Sequence, residues 1–82
     1  MEDKILALLE ELTDARELRE DPEIDLLDSG ILDSLALLEL IVALEDRFGV
    51  EVQPTQVPGD TWRSVRRIAA LVVDLQEKTV SG

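Results

Sequence analysis

At 82 residues the chain is expected to form one domain, residues 1–82, near the lower size limit for folding without staples. It contains neither cysteine nor histidine, which excludes disulfides, thiolate nucleophiles, Cys-based metal sites and the commonest general base. A formal charge of -11 argues against nucleic acid and anionic membrane surfaces as partners, and leaves plain solubility or steering toward basic protein patches.

Hydrophobic residues make up 45% of the chain but aromatics only 2%, so the core must be aliphatic, and with few β-signals the composition points to a small helix bundle. The first helix is expected over about Glu2 to Arg19. Ile5, Leu8, Leu9, Leu12 and Ala15 form its apolar stripe, acids Glu2 and Asp3 open it, and Arg16 and Arg19 close it. Pro22 forces its end. Met1 to Leu12 is not expected to act as a signal peptide, because Asp3, Glu10 and Glu11 interrupt its apolar residues. No stretch reaches transmembrane length without charges, so a soluble cytoplasmic monomer is expected.

A long loop follows from Glu20 to Leu32. Ile24, Leu26, Leu27, Ile31 and Leu32 recur through it as anchors, with Asp21, Glu23, Asp25 and Asp28 expected in water and Gly30 free to take positive φ. The second long helix is predicted over Ser34 to Phe48, capped by Asp33 and stopped by Gly49. Leu38, Ile41, Leu44 and Phe48, with Leu37 and Leu40, are assigned to its buried face. Leu35, Glu39, Val42, Glu45 and Asp46 are assigned to the outer face. Val50 to Val52 alternates but has no pairing partner and reads as loop. Pro54 to Trp62 has room for at most one short helical turn, with Val57 and Trp62 packing. The last helix is expected from about Ser64, its N-cap, to Lys78, burying Val65, Ile68, Leu71, Val72 and Leu75, with a frayed tail from Thr79 to Gly82.

Catalysis by this chain alone is not supported. There is no nucleophile–base pair, no phosphate-binding glycine loop and no EF-hand spacing of the acids, so no metal site is expected. Among the serines, Ser81 lies in the tail, Ser64 is explained as a cap, and Ser29 by a local turn. Ser34 falls in the first turn of a helix already capped by Asp33, where open amides and the dipole favour a phosphate group. Two readings stay open on these grounds: an Asp-Ser pair that merely starts a helix, or an attachment point.

With Asp33-Ser34-Leu35, then Glu39-Leu40, Leu44-Glu45 ahead of Phe48, and Gly49-Val50, the sequence resembles the acyl carrier protein and peptidyl carrier protein superfamily over nearly its whole length. The resemblance implies an all-α four-helix bundle, three longer helices and one short, with a long loop between the first two. It implies 4′-phosphopantetheine attached to Ser34 by a phosphopantetheinyl transferase, with Asp33 helping to engage that enzyme. The arm then carries acyl or aminoacyl groups as thioesters from an adenylating or acyl-activating enzyme to accepting enzymes, the carrier itself being non-catalytic. Leu35, Glu39, Val42, Glu45 and Asp46 match the positions through which such carriers meet partners. Gly30-Ile31-Leu32-Asp33-Ser34 and Trp62 look more like the D-alanyl carrier proteins and the free-standing carriers of specialised biosynthesis than the fatty-acid carriers. Arg63, Arg66 and Arg67 form a basic cluster whose plain reading is internal pairing with nearby acids and whose sharper one is a partner-specific contact. The contrasting hypothesis is an acidic helical interaction module that binds partners by the second long helix and bears no prosthetic group.

Overall fold

The computed structural model describes residues 1–80, with side chains through Lys78. Its elements are all helical. Helix α1 spans Glu2–Thr13, α2 Glu17–Glu20, α3 Ser34–Phe48 and α4 Val65–Val80; two single 3₁₀ turns lie at Pro54–Gln56 and Gly59–Arg63. The all-α bundle with three long helices and one short one is as expected. Helix α1 packs against both α3 and α4, and the buried residues of all three meet in one core that includes Trp62, with Phe48 packed against it. Among the described residues that core contains no polar or charged side chain.

The short helix arises differently from the expectation. The single helix predicted over Glu2 to Arg19 breaks at Asp14, which adopts left-handed backbone angles (φ 58°, ψ 27°) and donates its amide to the Glu10 carbonyl at 2.8 Å. Aspartate tolerates this conformation better than most residues. One residue earlier the Thr13 hydroxyl donates to the Leu9 carbonyl, a back-bond of the kind that bends helices. The chain restarts as α2, with Ala15 just before it and Leu18 within it both buried. Arg19 then reaches back to pair with Glu10 across the bend.

The loop from Asp21 to Asp33 is pinned as expected, with Leu26 and Leu32 buried and Ile24, Leu27 and Ile31 packed beside them. Gly30 takes φ 82°. Asp25, expected in water, is instead structural: one of its oxygens accepts the amides of Leu27 (3.0 Å) and Asp28 (2.9 Å).

Helix α3 begins and ends where the sequence indicates. Asp33 accepts the Ala36 amide at 2.8 Å, and Gly49 closes the helix with φ 64°. Leu40, Ile41 and Leu44 are buried, with Leu37 and Phe48 packed beside them. Leu38, assigned to the buried face, is 61% exposed. The correction follows from helical geometry: Leu38 is three residues from Leu35 and four from Val42, so it shares their outward row. Val50 and Val52 are buried without forming a strand. The Pro54 to Trp62 stretch holds two 3₁₀ turns rather than at most one. The second of them buries Trp62, while Val57 is partly buried. The Ser64 hydroxyl accepts the Arg67 amide as a cap for α4. That helix continues through Val80, beyond the expected end at Lys78. The remainder of the expected frayed tail, 81–82, lies outside the described residues.

Candidate functional site at the start of helix α3

The loop delivers Asp33 and Ser34 to the surface by a short sequence of constraints. Leu32 is buried, and its amide donates to the Leu26 carbonyl at 2.9 Å, which closes the loop on itself. The next residue, Asp33, is extended (φ -97°, ψ -174°) and turns the chain into α3. Its Oδ1 takes the Ala36 amide and its carbonyl takes the Leu37 amide. The amides of Ser34 and Leu35 have no hydrogen-bond partner among the described residues, at the positive end of a 15-residue helix.

Ser34 is exposed, and among the described residues its hydroxyl makes no hydrogen bond. Ser29 contrasts with it. The Ser29 Oγ accepts the Ile31 amide at 3.3 Å and lies 3.4 Å from the Leu26 carbonyl, to which it donates. Of the two Asp-Ser pairs, one hydroxyl is therefore engaged in a turn and the other is open.

Beyond Ser34 the outward face of α3 carries Leu35, Leu38 and Val42, each more than 60% exposed. Glu39, Asp46 and Arg47 border this row, and with Leu38, Val42 and Ala43 they line a shallow hollow. Leu35, Glu39, Val42 and Asp46 thus share one accessible face. Glu45 stands apart from it: partly buried, its Oε2 accepts the Val52 amide at 3.0 Å and ties the segment after α3 to the helix. Arg47 is also engaged, bridging to Glu11 on α1 at 2.7 Å. Leu38 is the surface residue that the sequence reading missed, although its spacing from Leu35 and Val42 already contained the signal.

The basic cluster pairs internally. Arg63 is its centre, reaching Asp25 (3.0 Å), Asp28 (3.1 Å) and Asp60 (3.3 Å). Arg66 and Arg67 make looser, exposed contacts with Glu23 and Asp60. The Asp28 amide, together with the Arg63 guanidinium and the Leu27 amide, holds the Asp25 carboxyl below its ordinary range, against the opposing effect of burial. Among the described residues no group of acids is arranged to hold a metal ion, and no helix is long and apolar enough to cross a membrane.

The bundle, its long anchored loop and a capped helix with an open first hydroxyl match what the resemblance to carrier proteins implies. A family model described as "Phosphopantetheine attachment site" matches residues 3–72, and the chain belongs to that family. It is similar to the D-alanyl carrier protein of Abiotrophia defectiva, with 43% identity over 88% of this chain and 91% of the relative. The D-alanyl carrier protein of Lactococcus lactis subsp. cremoris (strain MG1363) is 38% identical over 96% of each chain. That of Bacillus velezensis is 33% identical over 89% of this chain and 94% of the relative. The chain is accordingly a carrier that bears acyl or aminoacyl groups as thioesters on a covalently attached 4′-phosphopantetheine. Such a role requires partner enzymes, among them a transferase that attaches the arm and a ligase that loads it.

Proposed function

We propose that Ser34 is the attachment point and that the cargo is D-alanine. The observation that carries the first half is the open Ser34 hydroxyl at the start of α3, directly after the Asp33 cap. The residues fit the group: Ser34 is exposed, and a helix N-terminus with open amides favours a phosphate. The arm supplies a thiol for the acyl group; the chain supplies position. Asp33 uses one oxygen to cap the helix, so its other oxygen remains available to engage the transferase. The D-alanine assignment draws on the D-alanyl carrier names of the relatives and on the Gly30-to-Ser34 pattern with Trp62.

In this reading residues 1–82 act as one monomeric, cytoplasmic carrier domain that catalyses nothing itself. Leu35, Leu38 and Val42, bordered by Glu39 and Asp46, meet partner enzymes through apolar contact with an acidic rim. Glu45 contributes through the geometry of α3 and less by direct contact, since its carboxylate is engaged at Val52.

Intact-mass measurement after incubation with coenzyme A and a broad-specificity phosphopantetheinyl transferase tests the attachment point. Wild type and Ser29→Ala gain one phosphopantetheine, and Ser34→Ala gains none. A folded wild type that gains nothing overturns the proposal and leaves the α3 face as a plain protein-binding module. Loading the holo form with ATP and a D-alanine-activating ligase then yields the thioester with D-alanine; equal loading by unrelated acyl groups through their own ligases sinks the cargo assignment.

A further inference from the structure

Arg63 lies outside α3 and yet is bonded to the loop that leads into it. Its main-chain carbonyl accepts the Leu26 amide at 2.8 Å. Its Nη1 reaches both oxygens of Asp25, at 3.3 and 3.0 Å, and one oxygen of Asp28 at 3.1 Å. The Nε is 3.3 Å from Asp60 in its own 3₁₀ turn, which fixes the guanidinium from the other side. Asp25 in turn holds the amides of Leu27 and Asp28, and Leu26 holds the Leu32 amide, one residue before Asp33. The connection from guanidinium to site is continuous: Arg63 to Asp25, Asp25 to the turn, the turn to Leu32, and Leu32 to Asp33 and Ser34.

We infer that Arg63 is a positioning residue for the modification of Ser34, clasping the loop in the one conformation in which a transferase meets Asp33 and Ser34 correctly placed. The inference rests on the attachment reading given above. Its physical basis is preorganisation: a loop of this length has many conformations, and a protein that must order it on binding loses affinity for its partner. Backbone bonds alone leave the turn free to open at its exposed edge. The guanidinium closes that edge, its Nη1 meeting the carboxylates of Asp25 and Asp28 while its Nε is held by Asp60. A lysine has a single point charge and cannot span Asp25, Asp28 and Asp60 together.

The experiment compares wild type, Arg63→Met, Arg63→Lys, Asp28→Asn and Ser34→Ala in steady-state transfer from coenzyme A, followed by intact mass, alongside amide hydrogen exchange of each folded apo protein. For Arg63→Met the expected result is a rise of about five- to tenfold in KM for the carrier with kcat nearly unchanged, as charge-assisted bonds on a part-exposed group are lost. Amides in 26–32 exchange faster, while those of α1 and α4 keep wild-type protection. Arg63→Lys recovers part of the loss. Asp28→Asn, which leaves the Asp25 turn intact, shifts KM and loop exchange in the same direction by a smaller factor and serves as the test if Arg63→Met does not fold. Wild-type KM and loop exchange in Arg63→Met, or in Asp28→Asn where that variant stands in for it, overturn the inference, as does an equal rise of exchange throughout α1 and α4. Modification of Ser34→Ala, or none of wild type, overturns the attachment reading instead, so the two failures are distinct.

Discussion

One carboxylate oxygen of Asp33 is committed to the Ala36 amide, so two duties of this residue can be separated by substitution. Asp33→Ala removes both and destabilises by about 0.5–2 kcal/mol, the usual cost of a lost cap. Asp33→Asn keeps the cap and loses only the charge. Thermal melts should therefore place Asp33→Asn near wild type, and a transferase that needs the charge will modify both variants slowly. Leu38 and Leu44 offer a second contrast within one helix. Leu44 is fully buried, and Leu44→Ala is expected to cost about 2–5 kcal/mol in denaturant unfolding. Leu38→Ala, on the exposed row, should stay within about 0.5 kcal/mol of wild type while slowing transfer to partner enzymes. Equal destabilisation by the two would contradict the orientation of α3.

Among the elements, α3 was the most legible in the sequence, because its limits carry chemistry: an aspartate that accepts an amide at one end and a glycine that takes positive φ at the other. The loop anchors were legible too, since Leu26 and Leu32 recur in a stretch too apolar to be merely solvated. The break at Asp14 was not. Leu12, Ala15 and Leu18 continue at helical spacing across it, and no glycine or proline marks the place. Asp14→Gly, which removes the side chain from a left-handed position, should stabilise by about 0.5–1 kcal/mol in thermal unfolding. The Arg63 clasp was only half visible: pairing with acids followed from composition, but partners 35 and 38 residues away could not be named from spacing. Its pH dependence follows from Asp25, whose folded carboxyl lies below the ordinary value of 3.8, held there first by the Asp28 amide and then by Arg63. That contribution is complete above the unfolded pKa and fades as pH falls through the lower folded one. Amide exchange in 26–32, corrected for its intrinsic pH dependence, should therefore be steady near neutrality and rise only below about pH 4.

For the molecule as a whole, 19 acids against 8 bases produce self-repulsion that the observed ion pairs only partly relieve. Raising salt from low to near-physiological ionic strength should raise the melting temperature by screening this repulsion. The same change should slow association with basic partner surfaces, so stability and on-rate move in opposite directions along one salt series. Trp62 is the chain's single tryptophan and there is no tyrosine. It is buried in the same 3₁₀ turn as Arg63, immediately beside the residue that holds the loop. The protein thus contains its own optical probe: ultraviolet emission reports one known place in the fold, and a partner that loosens or tightens the loop can be followed by fluorescence without any label.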